Sequence, residues 1–234
     1  PYTGLHHLLF AHLDHRLLVM TSANLPGYPM ITDLESALER LPRQVDYILT
    51  HNRRIVNRCD DSVVRDGCII RLSRGLAPKR EAIDLGDACI LGVGPELNSN
   101  ISVYKNGFCI TSPHVGNVRN PQTLAYLTET VEKIGKLTDA RYDLVVHDLH
   151  PQFLSTRYAR EVAEANGAEL LAVQHHRAHI AAATTAPLPS RQASRSGVQP
   201  VSRCLNAPHS HVCKMCAPGS ARSASFQAAR SVIA

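Results

Sequence analysis

Residues 88–111, ACILGVGPELNSNISVYKNGFCIT, decide the fold of this chain. Ala88 to Val93 is a short apolar run that stops at Gly94-Pro95, the pattern of a buried strand rather than a helix. Ile101 to Tyr104 and Phe108 to Thr111 flank Lys105-Asn106-Gly107. Asn-Gly accepts the positive φ that a tight hairpin turn requires, so these two runs pair as a hairpin. Beyond it the period changes. A long helix is expected over residues 121–137, a strand over 144–146, a helix over 156–166 and a strand over 170–173. A last helical stretch is read over residues 171–185, overlapping the end of that strand. A hairpin followed by alternating helices and strands predicts an α/β (α+β) sheet domain.

A separate segment lies before this domain, over residues 1–78. Leu17 to Met20 and Asp46 to Thr50 read as strands. Leu34 to Leu41 reads as a helix capped at Thr32 or Asp33. Ser62 to Arg65 and Cys68 to Leu72 read as strands joined at Asp66-Gly67. Residues 79–86, with Lys79, Arg80 and Glu81, read as a linker.

Composition narrows the function classes. The 234 residues carry a net charge of +5. All the excess comes from Pro187 onward, where Arg191, Arg195, Arg203, Lys214, Arg222 and Arg230 stand without any acidic residue. Without those six, 19 basic residues face 20 acidic ones. The body is near neutral, which argues against nucleic acid as a partner. The end of the chain is rich in Ser, Ala, Pro and Arg and has no sustained period. Disorder and a frameshifted, non-homologous origin are expected for residues 186–234. Cys213-x-x-Cys216, near His209 and His211, is not read as a zinc site there. Seven cysteines without regular spacing, and no basic-then-apolar leader, place the chain in a reducing cytoplasm. Cys59, Cys68, Cys89 and Cys109 are expected as free thiols. No apolar run is long enough to span a bilayer. Because the first residue is Pro1, an internal stretch of a longer polypeptide is expected.

Chemistry-bearing residues gather at strand ends and turns. Ser22 and Asn24, in Thr21-Ser22-Ala23-Asn24, offer a hydroxyl and an amide that suit phosphate or ribose oxygens; an ordinary polar turn uses the same residues. Arg53, Arg54, Arg58, Arg65, Arg71 and Arg74 surround Asp60-Asp61-Ser62, and guanidinium forks fit phosphate. Solvated surface ion pairs would look the same. Gly92-x-Gly94 follows a strand, where backbone N–H groups can approach phosphate. His147 and His150 follow one strand, and His175 and His179 follow the next. Four residues apart on a helix, His175 and His179 project from one face and can close on one metal ion.

In order, residues 1–10 (PYTGLHHLLF), 19–29 (VMTSANLPGYP), 51–65 (HNRRIVNRCDDSVVR), 71–78 (RLSRGLAP), 147–159 (HDLHPQFLSTRYA) and 173–182 (VQHHRAHIAA) resemble HypF-type carbamoyltransferases of NiFe-hydrogenase maturation. The resemblance implies the C-terminal part of a YrdC-like domain over residues 1–78. It implies the first part of a TsaD-like, ribonuclease-H/actin-type ATPase domain over residues 87–185. The implied chemistry uses carbamoyl phosphate and ATP/Mg to form carbamoyl-adenylate. The carbamoyl group then passes to the C-terminal cysteine of the partner HypE and becomes a cyanide ligand of the iron centre.

The resemblance also assigns roles. Ser22, Asn24, Arg58, Ser62, Arg71, Arg74 and Gly94 would contact nucleotide. His175 and His179 would hold a divalent metal, Zn or Fe, and His147 and His150 would position the carbamoyl group. YrdC-like proteins carry a family-level link to double-stranded RNA, which the near-neutral body disfavours. Asn98 stands where many members of the family carry Lys. The acylphosphatase-like domain, the zinc-finger cysteines, the early YrdC half and the acidic residue completing the metal site are not recognised in this sequence. An inactive fragment is therefore expected. The alternatives are a threonylcarbamoyl-adenylate synthase or transferase of tRNA modification, and a non-catalytic nucleotide- or metal-binding module that docks HypE.

Overall fold

The computed structural model describes residues 3–14 and 16–185. The expectations for residues 186–234, including the Cys213/Cys216 pair, lie outside the described residues.

The first segment begins with α1 (Gly4–Ala11), a helix the hydrophobic pattern did not announce; Thr3 Oγ1 accepts from His6 N at 3.2 Å. Helix α2 (Leu34–Arg40) starts at the expected cap, with Asp33 Oδ1 accepting from Ser36 N at 2.7 Å. That bond holds the Asp33 carboxyl below its ordinary pKa. Strands β1 (Val63–Arg65) and β2 (Cys68–Arg71) form a two-stranded antiparallel ladder. Asp66 and Gly67 both take positive φ, 50° and 79°, as the turn demands.

Residues 17–20 and 46–50 do not form the expected strands. A strand must exchange its backbone hydrogen bonds with a neighbour, and neither run finds one among the described residues. Their apolar side chains stay in solvent: Val19 is 96% and Tyr47 93% exposed.

The second segment builds a six-stranded sheet in the order β3-β6-β5-β4-β7-β8. Its strands are β3 (Lys79–Ala82), β4 (Ile90–Gly94), β5 (Ser102–Lys105), β6 (Phe108–Thr111), β7 (Leu144–Asp148) and β8 (Glu169–Val173). The expected hairpin is β5–β6, turning at Asn106 and Gly107 with φ of 51° and 78°. The residues read as a linker instead supply β3, which pairs with the free edge of β6. Strands β4, β7 and β8 run parallel, so their carboxyl ends at Gly94, Asp148 and Val173 share one sheet edge.

Helices α3 (Pro121–Thr138) and α4 (Leu154–Asn166) cover one face. Leu91, Val103, Leu127, Val145 and Ala159 are fully buried where they meet it. Asn120 caps α3, accepting from Thr123 N at 2.8 Å, and Gly167 in the left-handed region ends α4. Helix α5 (His175–Thr185) begins at His175, later than the expected Leu171, because residues 169–173 are committed to β8. Cys59, Cys68, Cys89 and Cys109 are free thiols, and burial raises the pKa of Cys89 and Cys109. No helix among the described residues is long and apolar enough to cross a membrane.

Candidate functional site

The parallel strands deliver three motifs to one sheet edge. Gly94 ends β4 and stands opposite His147 on β7, while Asp148 pairs with Val173, two residues before His175. In open α/β sheets, ligands bind at the carboxyl ends of parallel strands. Gly94 has φ 78°, a conformation that favours glycine.

His175 and His179 converge as the i, i+4 spacing predicts: their Nε2 atoms are 3.0 Å apart. On a tetrahedral ion, two nitrogen donors each about 2.1 Å from it would lie about 3.4 Å from one another, so the two imidazoles would have to part by a few tenths of an ångström to share one. Behind them stands Asp148, whose Oδ2 accepts from His175 Nδ1 at 2.7 Å. That bond puts the His175 proton on Nδ1 and turns the Nε2 lone pair outward. In the metal-free arrangement His179 Nε2–H donates to it. Binding one ion through both Nε2 atoms requires His179 to move its proton to Nδ1. The donor chemistry fits Zn or Fe, with two protein ligands; among the described residues no group of three or more His, Cys, Asp or Glu side chains is placed to hold a metal.

Sequence reasoning missed Asp148. Its signal was an acidic residue closing β7 inside His147-Asp148-Leu149-His150. Alternation along β7 puts Asp148 and His147 on opposite faces. His147 is buried, with Nδ1 donating to the Asp148 carbonyl at 2.6 Å. His150 is exposed, stacks on Phe153 at 4.1 Å between centroids, and donates its backbone N–H to Asp148 Oδ1 at 2.9 Å.

The arginine-rich segment meets the sheet domain at a second place. A cavity of about 270 Å³ lies in the seam, lined by Asn24, Arg58 and Arg71 on one side and by Asn98, His114 and Asn117 on the other. Ser22, Ser62, Arg74 and Gly94 are not in its lining. Several of the predicted nucleotide contacts already have protein partners. Ser22 Oγ donates to Asn24 Oδ1, and Asn24 Nδ2 donates to the Tyr28 carbonyl at 3.0 Å. Ser62 Oγ accepts from Ser73 N at 2.9 Å and donates to the Arg74 carbonyl at 3.0 Å. Arg74 pairs with Asp61, and Arg58 with Glu129 at 2.7 Å. Arg71 reaches the cavity from the end of β2. Burial, and then the Arg71 charge, lower the pKa of His114, against the opposing pull of Asp60.

Both segments match known families. Residues 86–185 match the family described as the HypF Kae1-like domain, and residues 1–73 the family described as Telomere recombination, which groups Sua5, YciO and YrdC. The chain is 46% identical over 186 residues to the probable carbamoyltransferase HypF of Methanocaldococcus jannaschii, covering 76% of this chain and 24% of that one. It is 39% identical over 202 residues to carbamoyltransferase HypF2 of Cupriavidus necator, covering 78% and 25%. The chain belongs to the HypF family. A crystal structure of full-length HypF in the phosphate- and nucleotide-bound form superposes with a TM-score of 0.69 at 37% identity, covering 78% of this chain and 29% of that HypF. HypF of T. kodakarensis gives 0.66 at 43% identity, covering 70% and 22%. The chain thus spans about a quarter of the length of the curated HypF relatives it matches.

Proposed function

We propose that this chain carries the nucleotide- and metal-handling parts of a HypF-type carbamoyl transfer. In this scheme water cleaves carbamoyl phosphate to carbamate and phosphate, and the carbamate displaces pyrophosphate from ATP/Mg to give carbamoyl-adenylate on the side of the first segment. The C-terminal cysteine thiol of HypE then takes the carbamoyl group and releases AMP, towards the cyanide ligand of a NiFe hydrogenase. The observation that carries it is the run Asp148–His175–His179 at the carboxyl ends of the parallel strands. Asp148 fixes the tautomer of His175, and helix α5 sets the second imidazole beside it. His175 and His179 would hold a divalent ion, Zn or Fe, which when bound would supply a Lewis acid for a nucleotide or carbamoyl oxygen. Arg58 and Arg71 bring two cations to the seam cavity against the one carboxylate of Asp60, beside the amides of Asn98 and Asn117, a lining that leaves net positive charge for a phosphate-bearing ligand. His147 and His150 flank Asp148 and are proposed to position the carbamoyl group.

Metal titration of the purified chain tests the first part. One zinc or ferrous ion per chain is expected, lost in both His175→Ala and His179→Ala; a chain that binds no metal overturns it. ATP binding to the same protein, weakened by Arg71→Ala, tests the cavity. Mass spectrometry of a HypE C-terminal peptide, incubated with carbamoyl phosphate, ATP and a full-length HypF relative with or without the equivalent of His175→Ala, tests the transfer itself.

A further inference from the structure

Helix α3 grips the first segment along one face. Tyr126, Glu129 and Lys133 lie on neighbouring turns, and Asn120 caps the same helix. Asn120 Nδ2 donates to the Gly27 carbonyl at 2.8 Å, Tyr126 Oη to the Arg58 carbonyl at 3.2 Å, and Lys133 Nζ to the Val56 carbonyl at 2.9 Å. Arg58 answers from the other side. Its Nη1 donates to Glu129 Oε2 at 2.7 Å, its Nε to the Met30 carbonyl at 2.9 Å, and its guanidinium carbon lies 5.2 Å from the Tyr126 ring centroid. Burial lifts the Tyr126 hydroxyl well above the ordinary phenol pKa, so it stays a neutral donor.

These contacts join two places. Gly27, Met30, Arg58 and Tyr126 line the seam cavity, whereas Glu129 and Lys133 do not. On its other side α3 is fixed, because Leu127, Val131 and Ile134 belong to the core of the sheet domain. The contacts across the seam are polar, and polar contacts between domains of one chain permit relative motion.

We propose that Glu129 is a positioning residue for the seam cavity. It pins Arg58 between α3 and the 27–30 loop, so a side chain outside the cavity sets the position of its wall. Closing the cavity on a ligand and holding α3 against the first segment are then one event. The assignment of a ligand to this cavity rests on the function proposed above; the positioning of its wall does not.

Hydrogen exchange of the full chain, with and without ATP/Mg as the probe, tests it in wild type, Glu129→Gln and Tyr126→Phe. Glu129→Gln is expected to speed exchange at residues 27–30 and 56–58 by about threefold, the size expected of a half-exposed ion pair. It should weaken ATP by a similar factor, with exchange in β4 and β7 unchanged. Tyr126→Phe, which keeps the packed ring, should loosen residues 56–58 in the same direction. Unchanged exchange in both loops in both variants overturns the proposal. If Glu129→Gln also loosens β4 and β7, Tyr126→Phe decides. Failure of wild type to bind ATP counts against the nucleotide assignment of the cavity, and the exchange comparison still decides the role of Glu129.

Discussion

Asp148 Oδ2 stands 2.7 Å from Nδ1 of His175, and the Asp148 side chain is only 7% exposed while the imidazole is 55% exposed. A sheltered carboxylate thus orients a histidine that faces solvent. Orientation of this kind governs how well an imidazole serves as a ligand. Asp148→Asn preserves the shape but can present an amide N–H to Nδ1, which favours the wrong tautomer. Zinc affinity, measured by competition with a chelator, is expected to fall about 10–100-fold, with the helical circular-dichroism signal retained. Unchanged affinity would mean that His175 needs no orienting partner.

Ser62 illustrates a residue whose structural duty comes first. Its hydroxyl accepts from the backbone of fully buried Ser73 and donates to the Arg74 carbonyl. Ser62→Ala leaves that buried N–H unpaired, and a loss of about 1–3 kcal/mol is expected in urea unfolding. Loss of ATP binding without loss of stability would instead make its contact with nucleotide the dominant role.

Gly135 sits inside α3, where Ala ordinarily adds about 1 kcal/mol. Here a Cβ would lie 2.9 Å from the Tyr142 hydroxyl oxygen, a group that is buried and has no hydrogen-bond partner among the described residues. Burial pushes its pKa up to about 12. Gly135→Ala is therefore expected to lower the melting temperature. Tyr142→Phe removes both the orphaned oxygen and the clash, so the double variant should melt above Gly135→Ala alone. A stabilising single Gly135→Ala would contradict this packing.

His114 links stability to pH. Burial and Arg71 disfavour its protonated form, so its folded pKa lies below the ordinary value of 6.5. The unfolded chain then binds more protons in the window beneath 6.5, and stability falls as pH drops through that window until the folded pKa is reached. Above it both states are neutral and the contribution is complete. His114→Gln should flatten this part of the urea-midpoint profile between about pH 7 and pH 5; an unchanged slope would exclude His114 as its source.

Local chemistry made much of the fold legible in both segments. Asn106-Gly107 and Asp66-Gly67 prescribe their turns through positive φ, Asp33 prescribes a cap, and the apolar runs prescribe β4, β7 and β8. Four-residue spacing was enough to bring His175 and His179 together, since helix geometry alone sets that distance. The same logic failed at residues 17–20 and 46–50. Strand propensity is only an offer of hydrogen bonds, and no strand among the described residues takes it up. It failed in the opposite sense at residues 79–82, where charged residues looked like a linker. There the open edge of β6 supplied the partner, and an edge strand tolerates polar side chains.

Sequence by itself determined the family motifs, the hairpins, the cap at Asp33 and the close approach of the histidine pair, because each depends on residues close together in the chain. Tertiary structure decided which groups remain for a ligand. Asp148 meets His175 only because β7 and β8 lie side by side. Arg58 and Arg71 both line the seam cavity and are equally suited by chemistry to phosphate, but Arg58 is held by Glu129 and Met30. A guanidinium or an imidazole carries the same chemistry wherever it sits, and the parts of the chain packed against it determine what that chemistry can do.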